Sequence, residues 1–110
     1  MGLFGGSDSK ESKDDARITV VAQIRAKSGH EDEVRAAFEK VVGPSQKEPG
    51  CLKYSLYEDK HYTGSFFTIE EWESEEARET HLQVNKEALN KTKALLREDL
   101  RISVLKMTAA

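Results

Sequence analysis

The sequence has three histidines, one cysteine and one tryptophan, and the neighbours of these scarce residues decide what each could do. His81 falls at helical spacing with Ala77, Val84 and Ala88, so it belongs to the inward stripe of a helix. An imidazole there could take a proton from a substrate hydroxyl, because its reference pKa lies close to neutrality. The same placement suits a packed histidine with one satisfied nitrogen, holding helix to sheet. Glu70 and Trp72 stand two apart on a strand and share a face. Glu70 could orient His81 or bind a substrate hydroxyl; it could also be one carboxylate of the solvated run Glu70-Glu71-Trp72-Glu73. Trp72 could stack on a flat aromatic guest or pack in a core or dimer contact. Tyr54 sits among Leu52 and Leu56, its ring buried and its hydroxyl in need of a partner. Asn85 could polarise a carbonyl, or cap a broken helix.

The remaining candidates are blander. Cys51 follows a turn at a strand start with only Lys53 as a cationic neighbour, and reads as structural. His30 belongs to a first helical turn and His61 to a hairpin, so both are expected at the surface. Three histidines so dispersed have no metal-ligand spacing, and no metal site is expected.

These residues must be positioned by a single small domain, since 110 residues with 37% apolar side chains cannot build two cores. Seventeen basic against twenty acidic residues leave a net charge of −3, which argues against nucleic acid or an anionic membrane as partner. No apolar run reaches the roughly 20 residues that cross a bilayer. A single cysteine excludes an internal disulfide and points to a reducing cytoplasm. Residues 1–17 hold three of the seven glycines and only Leu3 and Phe4 as large apolar side chains. They are expected to form a flexible tail, without the hydrophobic stretch of a secretory signal. The domain is expected over 18–110.

Within it, Ile18, Val20, Ala22, Ile24 and Ala26 alternate along a first strand. Ser28 and Glu31 suggest a capping box opening a helix, with Val34, Ala37, Phe38, Val41 and Val42 on its apolar stripe and Gly43-Pro44 ending or bending it. Cys51 to Glu58 reads as a second strand, with Leu52, Tyr54 and Leu56 pointing one way. Residues 65–73 read as a third, with Phe66, Thr68, Glu70 and Trp72 on one face and Phe67, Ile69 and Glu71 on the other. Ser74 is the expected N-cap of a helical stretch that breaks near Val84-Asn85 and runs towards Arg97. Leu100 to Met107 supplies a last strand. The order strand, helix, strand, strand, helix, strand is that of an α+β, ferredoxin-like βαββαβ fold: an antiparallel four-stranded sheet with its helices on one face. Apolar residues on both faces of the strands predict a homodimer through sheet-to-sheet packing.

The runs GCLKYSLYED and FFTIEEWESEEARETHL, preceded by ITVVAQIRAKSG, resemble the antibiotic biosynthesis monooxygenase (ABM) domain family, and within it the quinol monooxygenase branch. The resemblance implies a homodimeric α+β barrel with a pocket in each protomer between sheet and helices. It also implies oxidation of a small phenolic or quinol-like substrate by molecular oxygen, with no cofactor. Relatives often continue as His-x-x-Thr-Pro-His; here Val84 and Asn85 replace Thr-Pro, and Lys86 stands in place of the second histidine. Haem-degrading relatives carry an asparagine, a tryptophan and a histidine where this chain has Ile24, His81 and Lys91, so haem breakdown is not expected.

The resulting expectation is a cofactor-independent monooxygenase. His81 and Glu70 are its candidate catalytic residues, and Trp72, Asn85 and Tyr54 its candidate substrate-binding residues. The rival is a dimer of the same fold that binds a small molecule without converting it.

Overall fold

The computed structural model describes residues 16–110. The expected tail lies outside the described residues apart from Ala16 and Arg17. Strand β1 (Ile18–Arg25) leads to helix α1 (Glu31–Gln46), then strands β2 (Cys51–Glu58) and β3 (Ser65–Trp72). Helix α2 (Glu75–Val84), helix α3 (Lys86–Thr92) and a 3-10 turn (Lys93–Leu95) precede β4 (Arg101–Leu105). The four strands form one antiparallel sheet in the order β2-β3-β1-β4, the ferredoxin-like α+β arrangement.

Alternation in β1 and β3 translates directly into burial. Ile18, Val20, Ala22 and Ile24 are buried, as are Phe66, Thr68, Glu70 and Trp72. Their register sets Glu70 between Val20 and Tyr54 on the helix side of the sheet. Two core clusters form there. One gathers Ile24, Ala26, Val34, Phe38, Phe66 and Leu96; the other gathers Ile18, Val20, Tyr54 and Trp72.

Several local expectations are corrected. Helix α1 begins after His30, and Ser28 caps nothing: the Glu31 carboxylate accepts from the Gly29 amide at 3.0 Å instead. Gly43-Pro44 does not end α1. Pro44 removes one amide, yet the chain stays helical to Gln46 because Ser45 is fully buried and amides 47 and 48 close onto the carbonyls of Pro44 and Ser45. Leu52 does not share the Tyr54 face, since a bulge between Cys51 and Lys53 makes it an extra, exposed residue. The register restarts with Tyr54 inward. Finally, β4 ends at Leu105.

One clamp ties α1 to the sheet. The Arg35 guanidinium donates to both Glu58 oxygens at 3.0 and 2.8 Å and to Asp32 at 2.6 Å, and lies over the Phe66 ring. Arg35, followed by the Gly64 amide, holds the Glu58 carboxyl below the usual carboxylate range. Folded Glu58 therefore gives up its proton more readily than unfolded Glu58. The clamp's contribution is complete above the unfolded carboxylate's pKa of about 4.3 and fades as pH falls through the lower folded value. Glu58→Gln should lower the melting temperature by a few degrees at neutral pH, the modest effect expected of a solvent-screened pair. That difference should vanish in thermal melts at the acid end.

Candidate functional site

Ser74 opens α2 by accepting the Ala77 amide at 3.2 Å, and Glu75 and Glu76 occupy the first turn. This fixes the phase of a helix that ends at Asn85. The inward stripe runs through Arg78, His81, Leu82, Asn85 and Leu89, a three- and four-residue spacing that continues across the break. Val84 and Ala88, expected beside His81, are exposed instead.

His81 is 5% exposed, and its ring lies 4.7 Å from Trp72 and 5.4 Å from Tyr54 between centroids. Its orienting carboxylate is Glu48, at 2.8 Å from Nδ1. The Asn85 amide donates to the other Glu48 oxygen at 3.2 Å and to the His81 carbonyl at 2.8 Å. Asn85 spends its amide hydrogens on Glu48 and the His81 carbonyl, so Nδ1 is the ring nitrogen placed to donate to the Glu48 carboxylate. Glu48 belongs to the Glu48-Pro-Gly50 turn ahead of Cys51, and nothing in a 33-residue separation announces a pairing. Gly50 allows the close approach. Its φ is +84°, and a Cβ there would come within 2.5 Å of Ala77.

Glu70 does not orient His81. One of its oxygens accepts from Thr68 Oγ1 at 2.7 Å and the other from Trp72 Nε1 at 2.9 Å. Trp72 is fully buried, so it packs against His81 and presents no free face to a guest. Tyr54 has a buried ring, as expected. Burial first, then the nearby Glu70 and Glu48, push its phenol well above the usual tyrosine range. The chain has three tyrosines. In an alkaline absorbance titration one of them should resist ionisation until the fold gives way, and Tyr54→Phe should abolish that lagging phase. Cys51 is half-buried, and burial raises its thiol pKa, in keeping with a structural role.

Between sheet and helices lies a chamber of about 40 Å³. Tyr54, Thr68, Glu70, Arg78, His81 and Asn85 supply its polar wall. That volume holds a water or two, whereas a benzene-sized guest needs roughly 150 Å³. A groove of about 360 Å³ adjoins it. Phe38, Leu82, Leu89, Leu100 and Ile102 line both spaces, with Lys86, Lys93 and Asp99 on the groove's rim. A flat ring would lie in the groove and send one polar substituent into the chamber.

The family model for antibiotic biosynthesis monooxygenases matches residues 17–87. The chain belongs to this family. The ABM match spans β1 to the start of α3, including every residue of the polar wall. A crystal structure of a Pseudomonas aeruginosa protein shares 33% identity, with a TM-score of 0.76 over 86% of this chain and 96% of that one. A crystal structure of an antibiotic biosynthesis monooxygenase shares 26%, with a TM-score of 0.78 over 84% and 99%. An uncharacterized protein of Synechocystis sp. is 33% identical over 95 residues, 84% of this chain; the ABM chain spans 65% of that relative's length.

Proposed function

We propose that this ABM-family chain is a cofactor-independent monooxygenase that oxidises a small phenolic or quinol-like substrate with molecular oxygen. The observation that carries this reading is the buried His81 ring, pinned at Nδ1 by Glu48 and walling the polar chamber at the inner end of an apolar groove. His81 Nε2 takes the proton of a substrate hydroxyl, and Glu48 serves as counter-ion to the imidazolium. The resulting anion gives an electron to dioxygen, and the radical pair recombines to a hydroperoxide that loses water. A quinol plus one dioxygen becomes a hydroxyquinone plus one water, so the substrate supplies every electron. Asn85 positions Glu48 and the ring, and Trp72 supports both Glu70 and His81.

The second reading, a binding module without turnover, draws on the narrow chamber and on Lys86 where relatives place a second histidine. Incubation with a panel of reduced naphthoquinones and anthrones, under air and under argon, separates the two. Protein-dependent oxygen uptake supports the enzyme. Thermal stabilisation by compounds that are never consumed supports the binder.

The working unit in this proposal is a homodimer. The sheet face away from the helices carries Val21, Phe67 and Ile69 in adjacent register positions, with Tyr57 and Leu105 exposed beside them. A second copy packed sheet to sheet would cover them. Light scattering at micromolar concentration should give twice the chain mass. No helix among the described residues is long and apolar enough to cross a membrane. The single cysteine favours a reducing cytoplasm as the setting.

A further inference from the structure

Arg78 was not among the sequence-derived candidates, yet it lines the same chamber as His81, one helical turn before it. It is half-buried, and its side chain has no hydrogen-bond or salt-bridge partner among the described residues. The other charged side chains of α1 and α2 that approach the core have found partners: Arg35 on Glu58, and His81 on Glu48. A guanidinium that is partly withdrawn from water and spends its donors on nothing in the chain is suited to an anion that arrives from outside.

Glu70 shares the chamber wall but does not serve as that anion. Both its oxygens are already occupied, by Thr68 and Trp72, and no salt bridge joins it to Arg78. The other ionisable groups facing this space are Tyr54 from β2 and His81 from α2, with Glu48 behind the imidazole. Arg78 is therefore the one side chain of the chamber wall that is permanently cationic.

We infer that Arg78 is a substrate-binding residue that selects ionisable phenols by pairing with the oxyanion formed when His81 takes the proton. The inference rests on the proposed site for a small aromatic guest, and it adds the chemical class: a phenol held as its phenolate, in preference to a neutral ring of the same shape. Proton transfer and charge pairing are then divided between two residues of one helical stripe, with the imidazole removing the proton and the guanidinium keeping the anion.

The test uses the full chain, 4-nitrophenol, whose phenolate is coloured, and nitrobenzene, which lacks the hydroxyl. In the wild type, bound 4-nitrophenol should ionise about one to three pH units lower than free probe, the range for an acid beside a fixed cation. Arg78→Met should lose most of that shift, while nitrobenzene binds both proteins alike. Arg78→Lys, which keeps the charge without the fork, should fall between them. It serves as the comparison if circular dichroism shows the methionine variant unfolded. Equal ionisation of bound probe in wild type and variants would overturn the role of Arg78, as would a wild type that binds only the neutral phenol. Nitrobenzene binding without any phenolate preference removes only Arg78's role. Failure of both probes to bind the wild type removes the aromatic site itself.

Discussion

His81→Ala should lower protein-dependent oxygen uptake by about 10²- to 10⁴-fold, the usual contribution of a positioned general base, while the protein stays folded and its groove still takes a ring. The substitution removes the only imidazole in the chamber. The other two histidines lie elsewhere: His30 precedes α1 and pairs with Glu33, and His61 is exposed in the β2–β3 hairpin. It also leaves Glu48 facing Asn85 alone, which costs some stability, so the melt must be recorded beside the rate. Glu48→Gln provides the control. It keeps the volume and removes the charge that fixes the Nδ1–H tautomer, so it should reduce the rate by about 10- to 100-fold with little effect on ring binding. If His81→Ala and wild type consume oxygen at the same rate, the base assignment fails.

The second large effect is on the fold. Trp72→Ala should destabilise the protein by about 3–5 kcal/mol, the range for emptying a buried aromatic site. Trp72 is fully enclosed with Ile18, Val20 and Tyr54, and its indole supplies one of the two hydrogen bonds to the buried Glu70. The variant therefore opens a void and also leaves a carboxylate oxygen without its donor. Since a domain of this size has only about 5–15 kcal/mol in hand, much of the population should unfold in modest denaturant. Trp72→Phe shifts the balance towards the hydrogen bond. It retains most of the volume and loses the N–H with part of one ring, so it should cost less than the alanine variant but at least the roughly 1.5–3 kcal/mol of a hydrogen bond to a charged group. Urea melts of the three proteins check the order.

What could be read from the residues and what could not follow a physical division. Strand faces in β1 and β3 were legible because period-two alternation is local and unbroken, and Ser74 was legible because its cap is completed by an amide three residues away. The inward stripe of α2 was misphased because Val84 and Ala88, three and seven residues after His81, were counted with it, and both are exposed. The structure turns the helix slightly the other way, so Arg78, Leu82 and Asn85 share the inner side with His81. Leu52 was misplaced because a bulge inserts one residue without any compositional mark. Glu48 was missed for a different reason. Its meeting with His81 is produced by β2 and β3 returning the chain from the α1–β2 turn to α2, a property of topology that no spacing carries. His81 itself was found by residue type and stripe, while the carboxylate expected beside it, Glu70, proved to be tied to Thr68 and Trp72.

The most direct test is the isotope content of the product formed from a reduced naphthoquinone under ¹⁸O₂, with wild type and His81→Ala run side by side. The account predicts that the wild-type product gains one labelled oxygen as a new ring hydroxyl, the second label appears in water, and the His81→Ala sample makes little of either. Unlabelled quinone accompanied by peroxide, formed equally by both proteins, would contradict it.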